Sequence, residues 1–327
     1  MNITVLGGGT WGVTLGVLLY EKGNAIKIWE FSKDKGELLR KNRYEPNLPW
    51  LFIPNEIDIT DEFKVDCDLI ISCLPSWAVR EVFLKLKNLY KDQLIVSCTK
   101  GFEEETFLRP SDVIKEVIPQ ARTVVLSGPS HAEEVSRKIP TSVVSASHNE
   151  KDRVFTQRLF SNSYFRVYTN YDIIGVELGG GLKNIIAIAG GISDGLGFGD
   201  NTKAALLCRG MVEMIRLGVS LGGSKETFFG LSGMGDLIVT SFSKHSRNRR
   251  FGELLGKGHK KEDAQKEINM VIEGIKTTRA VYEYSLKSNT EMPITNEVYK
   301  IIFEEKEPGL ACKELLERKL KEEDYGV

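Results

Sequence analysis

Short apolar runs alternate with stretches of helical periodicity through the first half of the chain. Residues 3–6 predict a first strand and residues 11–22 the helix behind it. Gly23 and Asn24 break the chain before a second strand at residues 25–29. Residues 68–73 predict a buried strand ending at Leu74-Pro75, and residues 94–98 and 123–126 repeat the theme. Residues 143–147 add a last strand. This alternation predicts a parallel sheet covered by helices, whose strand-end loops are where open α/β sheets take their ligands. From about residue 170 the pattern turns helical. Residues 176–191 carry small and apolar side chains on most faces, as a buried helix does, and residues 204–221 place apolar positions at three- and four-residue spacing. Residues 257–267 form a charged surface stretch, and residues 313–323 an amphipathic helix rich in ion pairs. Neither a repeat nor a low-complexity linker interrupts the chain. The expected architecture is an α/β domain over residues 1–170 followed by an all-α substrate and catalytic domain over residues 171–327.

With 327 residues the chain can bury two cores. A formal net charge of −1 leaves no basic field for nucleic acid or an anionic membrane. The five cysteines are scattered, odd in number and free of CxxC pairs, so neither a disulfide framework nor a zinc cluster is expected. His131, His148, His245 and His259 lack the spacing of metal ligands, and no metal is expected. The chain opens directly into a strand pattern with no targeting signature. No run reaches the roughly 20 apolar residues of a spanning helix; the longest candidate, residues 185–192, is flanked by Lys183 and Asp194. These readings predict a cytosolic protein without membrane insertion.

Gly7, Gly9 and Gly12 form G-x-G-x-x-G between the first strand and its helix. Gly7 would permit a tight turn, Gly9 close approach of the backbone to a pyrophosphate, and Gly12 close helix–strand packing. The helix N-terminus then offers N–H groups and partial positive charge to phosphates. Alone the motif is weak. Here it has the strand–turn–helix context, and Glu30 ends the second strand, where an acidic side chain accepts hydrogen bonds from the adenosine ribose. The first domain is therefore expected to be a Rossmann-like dinucleotide-binding domain. Trp11 reads equally as a core aromatic or as a cover on the nicotinamide side.

Further motifs run in order along the chain. Gly7-Gly8-Gly9-Thr10-Trp11-Gly12, Thr99-Lys100-Gly101 and Ser127-Gly128-Pro129-Ser130-His131-Ala132 lie in the first half. Gly175-Val176-Glu177-Leu178-Gly179-Gly180-Gly181-Leu182-Lys183-Asn184, Asn201-Thr202-Lys203-Ala204-Ala205-Leu206 and Gly230-Leu231-Ser232-Gly233-Met234-Gly235-Asp236-Leu237 follow. Ser246-Arg247-Asn248-Arg249-Arg250-Phe251-Gly252 and Val271-Ile272-Glu273-Gly274 complete the set. Over nearly its whole length the chain resembles the bacterial-type NAD(P)-dependent sn-glycerol-3-phosphate dehydrogenases. The resemblance implies interconversion of glycerol 3-phosphate and dihydroxyacetone phosphate by hydride transfer, a phosphorylated small-molecule substrate, and supply of glycerol 3-phosphate to glycerophospholipid synthesis. It leaves a homodimer open. Two positions depart from the family's pattern. Gly181 stands where alanine is usual, which loosens the helix slightly. Glu30 and Phe31 stand where a small residue and then a basic one or histidine often follow Trp29, which favours NAD over NADP while leaving NADP open.

Lys183 resembles the family's acid/base, protonating the ketone oxygen in reduction and taking the hydroxyl proton in oxidation. Burial and neighbouring cations can bring a lysine pKa towards neutrality; the plain alternative is a lysine on a solvated helix face. Lys100, at the sheet's ligand edge, resembles a second substrate lysine that polarises the carbonyl, or is an ordinary loop lysine. Asp236 would hold the catalytic lysine or a substrate hydroxyl, or merely cap a helix, and Thr240 joins it one turn on. Arg247 is the candidate phosphate anchor because its planar fork grips two oxygens, with Ser246, Asn248 and Asn184 as further donors; the same arginines could form a solvated basic face. Gly128 and Ser130 would line the substrate pocket. By resemblance the cofactor touches Gly7, Gly9, Thr10, Trp11, Gly12, Glu30, Phe31, Lys100, Ala132, Arg247, Val271 and Glu273. The competing readings are a related two-domain dehydrogenase of a β-hydroxyacid or ketopantoate-like substrate, and a non-catalytic NAD(H) sensor.

Overall fold

A computed structural model describes residues 1–320, 322 and 323. The chain divides into two compact units, Met1–Thr99 with Pro110–Ile173, and Lys100–Arg109 with Ile174 onward. The first unit is built on an eight-stranded sheet in the order β3-β2-β1-β4-β5-β6-β7-β8. Its strands are β1 (Asn2–Leu6), β2 (Ala25–Trp29), β3 (Asp58–Thr60), β4 (Leu69–Ser72), β5 (Leu94–Ser97), β6 (Arg122–Ser127), β7 (Thr141–Ala146) and β8 (Phe165–Asn170). β4 and β5 read Leu-Ile-Ile-Ser and Leu-Ile-Val-Ser and are buried at every position, as strands covered on both faces must be. Ile3, Val5, Ile28, Ile71, Val96, Val124 and Phe165 from these strands join Val13, Leu15 and Leu19 of the helix Thr10–Glu21 in one core.

Two features correct the expected all-parallel sheet. β7 runs antiparallel to β6, because the connection between them holds only the four-residue helix Ala132–Val135 and the chain turns back rather than crossing over. β7 is also not the last strand, since β8 pairs with it in parallel.

The second unit is helical among the described residues. Its centre is the helix Ile173–Gly195 of 23 residues. An 18-residue stretch of it has mean hydropathy 1.4, so a helix long and apolar enough to cross a membrane does exist. This corrects the expectation from residues 185–192, which stopped the apolar run at Lys183 although Val176, Leu178, Leu182 and the glycines between them carry it further back. The stretch is 89% buried within the protein, packed as a core helix. Leu178, Ile185 and Ile188 from it meet Met214, Phe228, Phe251 and Val298 in the second core. The C-terminal helix spans Pro308–Leu316, beginning earlier and ending sooner than residues 313–323. Glu307 caps it, accepting from Gly309 N and Leu310 N; Lys321 of the expected helix lies outside the described residues.

Candidate active site

Lys183 lies mid-helix with its side chain only 7% exposed. A buried ammonium is tolerable only when paired and hydrogen-bonded, and both conditions are met. Its Nζ donates to Asp236 Oδ1 at 2.9 Å and to Thr240 Oγ1 at 2.5 Å. The Thr240 hydroxyl in turn donates to Asp236 Oδ1 at 3.2 Å. The other carboxylate oxygen accepts from Lys100 Nζ at 2.5 Å. Two ammonium groups therefore share one buried carboxylate. Asp236 opens the helix Asp236–Phe242 directly after a π-helical turn, Leu231–Gly235, a distortion frequent at functional sites. Glycine makes that turn fit. A side chain on Gly233 would strike the Phe228 carbonyl at 2.0 Å, and one on Gly179 would meet the Ser232 carbonyl at 3.0 Å.

Burial pushes the Lys183 ammonium down to about 8; Asp236 resists this, while repulsion from Lys100 and Arg247 assists it. Burial works to raise the Asp236 carboxyl, yet the two lysines outweigh it and hold the group below the usual carboxylate range. The result is an amine that can give or take a proton near neutrality, next to a carboxylate that stays charged.

A second corner of the same unit is suited to an anion. The helix Arg247–Gly256 starts here, and Arg247 Nη1 donates to the Val271 carbonyl at 2.8 Å. Asn248 Nδ2 donates to Asn184 Oδ1 at 2.9 Å, and Asn248 Oδ1 accepts from Gly274 N at 3.0 Å. Asn184 follows Lys183 on the core helix, and Glu273 and Gly274 begin the helix Glu273–Ser288. Ser246 is buried as the cap of the arginine helix, its Oγ accepting from Arg249 N at 3.2 Å. Capping, which the sequence reading did not assign to it, is its role in the protein's own structure.

In the first unit the glycine-rich turn separates two kinds of glycine. A side chain on Gly7 would strike the Cys73 carbonyl at 2.8 Å, and one on Gly12 the Gly7 carbonyl at 1.9 Å, so internal packing demands both. A side chain on Gly9 would meet nothing within 4 Å. Gly9 leads into the helix at Thr10, whose N-terminus has neither a side-chain cap nor an acidic residue in its first turn. That open backbone fits a pyrophosphate. Glu30 Oε2 accepts from Gly8 N at 3.1 Å and Oε1 from Ser32 N at 3.0 Å, with Lys35 Nζ 3.6 Å away. Phe31 is 67% exposed, edge-on to Trp29. Trp11 packs on the first core, its ring 6.4 Å from that of Phe165. Beyond β6, Gly128 takes φ +135° and its carbonyl accepts from Ser130 Oγ at 2.9 Å, while Ala132 is buried at the start of its short helix.

Comparison with known proteins agrees over both units. The family model for the NAD-dependent glycerol-3-phosphate dehydrogenase N-terminus matches residues 2–153, and that for its C-terminus matches residues 172–313. The chain belongs to the NAD-dependent glycerol-3-phosphate dehydrogenase family. It is 49% identical to the glycerol-3-phosphate dehydrogenase [NAD(P)+] of Thermoanaerobacter sp. over 331 residues, covering 100% of each chain. The Fusobacterium nucleatum enzyme of the same name is 47% identical over 97% of each chain. The crystal structure of glycerol-3-phosphate dehydrogenase from Coxiella burnetii superposes with a TM-score of 0.94 at 39% identity, covering 97% of this chain and 99% of that one.

Several polar groups of the helical unit were given no role by sequence reasoning. Lys203 Nζ lies 2.9 Å from both oxygens of Asp194, and Arg249 Nε lies 2.7 Å from the same carboxylate. Arg109 Nη1 donates to the buried Glu177 at 2.9 Å. The available signal was a charged residue beside small and apolar ones, Glu177 within 175–184 and Lys203 before Ala204-Ala205-Leu206, but it does not name the partner. Gly181, the departure from the family pattern, is explained by packing: a side chain there would press on the Phe102 ring at 3.0 Å.

Proposed function

We propose that the chain interconverts sn-glycerol 3-phosphate and dihydroxyacetone phosphate, supplying glycerol 3-phosphate for glycerophospholipid synthesis. The observation that carries this reading is the buried Lys183, poised near neutrality and sharing Asp236 with Lys100. NAD(P)H, when bound, supplies the hydride that reduces the ketone carbon. The turn Gly7, Gly9, Thr10, Gly12 with Glu30, Phe31 and Ala132 would hold it, assisted by Trp11, Lys100, Arg247, Val271 and Glu273. In reduction the Lys183 ammonium gives its proton to the carbonyl oxygen; in oxidation the neutral amine takes the hydroxyl proton back. Lys100 favours negative charge building on that oxygen. Asp236 and Thr240 aim the Lys183 Nζ, so the proton is delivered from one direction. Arg247, with Asn248, Asn184 and Ser246, grips the phosphate, and Gly128 and Ser130 line the glycerol backbone. Glu30 favours NAD, because its carboxylate accepts from ribose hydroxyls and repels a 2′-phosphate.

The test is NADH oxidation with dihydroxyacetone phosphate beside unphosphorylated dihydroxyacetone. The phosphorylated ketone is expected to be favoured in kcat/KM by on the order of 10²-fold or more, since remote phosphate binding orients the carbonyl. Equal values would overturn the phosphate assignment, and no oxidation with either would overturn the function.

A further inference from the structure

The loop Lys100–Arg109 packs with the helical unit although the chain on both sides of it belongs to the sheet unit. It closes on itself: Glu103 N donates to the Leu108 carbonyl at 3.0 Å, and Phe107 N to the Glu103 carbonyl at 2.9 Å. Phe107 sits at φ +60°, a left-handed conformation that is costly for a bulky side chain and persists only where the surroundings over-determine it. They do so here. The Phe107 ring stacks on Tyr284 with centroids 4.4 Å apart and lies 4.7 Å from Phe102. Phe102 is itself fully buried against Gly181, on the helix that carries Lys183. Arg279 Nη1 donates to Glu104 at 3.0 Å. At one end of the loop Lys100 reaches Asp236; at the other, Arg109 donates to Glu177, whose side chain is 1% exposed and which precedes Lys183 on the same helix. A buried ion pair adds little net stability because desolvation offsets its attraction, so its value here is geometric.

We propose that Arg109 and Glu177 are positioning residues, whose pair locks the loop Lys100–Arg109 so that Lys100 stays on Asp236 and beside Lys183. The proposal rests on the assignment of Lys183 as the proton-transfer group. With the lock released, Lys100 spends less time at Asp236, and Lys183 loses a like-charge neighbour while keeping more of the carboxylate. Both changes favour its protonated form.

The double variant Arg109→Gln with Glu177→Gln removes one positive and one negative charge, so the direct field of the pair at Lys183 largely cancels. Reduction of dihydroxyacetone phosphate falls as rising pH strips the Lys183 proton. In the double variant this falling limb of kcat/KM is expected at a pH higher by about half a unit or more, with kcat lower by roughly 10-fold. Arg109→Lys should return part of both. A limb at the wild-type pH overturns the proposal even if activity drops, because a merely structural lesion lowers the amount of working enzyme without moving its titration. Should the double variant not fold, Phe107→Gly keeps the left-handed backbone, removes the stack, and is expected to displace the limb in the same direction. An inactive wild-type chain would overturn the functional reading instead. The lock is then decided by hydrogen exchange at the Glu103 and Phe107 amides, expected to be protected in the wild type and on the order of 10-fold faster in the double variant; equal exchange overturns it.

Discussion

At the scale of single residues, the site's chemistry comes from charge held where charge is costly. Lys183 donates to Asp236 and Thr240, and the Asp236 carboxylate holds its proton on against burial, which brings its pKa down to about 8. Its usefulness follows from that compromise, since a lysine at its ordinary pKa is a poor base at neutrality. Lys183→Ala is expected to bind NADH normally, because the glycine-rich turn is untouched, while turnover falls by roughly 10²- to 10⁴-fold. The sign of the pH dependence follows from the same group. Ketone reduction needs the ammonium and should decline as pH rises through about 8; alcohol oxidation needs the amine and should climb over the same interval. Rate profiles in both directions check this, and two limbs of the same sign would move the proton transfer to another group. Lys183 stood out in the sequence through the family resemblance of its motif, and its small apolar neighbours spoke against a lysine on a solvated face. Arg109 did not, because its partner Glu177 lies 68 positions away and no local pattern announces a buried ion pair.

Among elements, the decisive contact is the crossing of the helices Ile173–Gly195 and Arg247–Gly256. It is made by glycines on both sides. A side chain on Gly191 would strike the Arg249 carbonyl at 2.0 Å, on Gly195 the Glu253 carbonyl at 2.2 Å, on Gly252 the Ile188 carbonyl at 2.0 Å, and on Gly256 the Ile192 carbonyl at 2.4 Å. Backbones this close fix the register of the second helix, and with it Arg247 and Asn248, against Lys183 and Asn184. Gly252→Ala should force the helices apart, costing about 1–3 kcal/mol as overpacking does. It should also raise KM for dihydroxyacetone phosphate by loosening the Asn248–Asn184 hydrogen bond. A folded variant with unchanged KM would show that the crossing does not set the phosphate corner. The strong strands and the core helix were readable from apolar runs. β3 has only three residues, Asp-Ile-Thr, and β8 is an edge strand whose first four positions alternate buried and exposed; neither gives the continuous apolar run that marks an inner strand. Caps supplied from afar are hidden in the same way. The first N–H groups of the helix Pro293–Phe303 bond to Glu213, a buried carboxyl that desolvation pushes up to about 7, while Met292 at the cap position supplies no side-chain bond.

For the whole molecule, opposite charges nearly cancel, with a formal net charge of −1, so recognition depends on where charge is placed rather than on its total. Cations gather at Lys100, Lys183 and Arg247, while an anion, Glu30, closes the end of β2. In the proposed reading that carboxylate sets cofactor choice. It is already engaged by Gly8 N and Ser32 N, which fixes its orientation and leaves lone pairs for two ribose hydroxyls. A 2′-phosphate there would meet a fixed negative charge, eased but not cancelled by Lys35 at 3.6 Å. Arg40, another cation of this region, is bonded to Asp61 at 3.2 Å and to the Ile59 carbonyl at 3.3 Å. NADH should therefore bind tighter than NADPH. Ligand-induced stabilisation reads this without turnover: at equal concentrations well above both Kd values, a 10-fold difference in affinity is worth about 1.4 kcal/mol of extra stability. For a unit of this size that is a Tm difference of a few degrees. Glu30→Ala with Phe31→Arg removes the repelling charge and adds an attracting one, so the order of the two shifts should invert. Equal wild-type shifts, or a larger one with NADPH, would refute the role of Glu30, and an order that survives the double substitution would place the discrimination elsewhere in the turn.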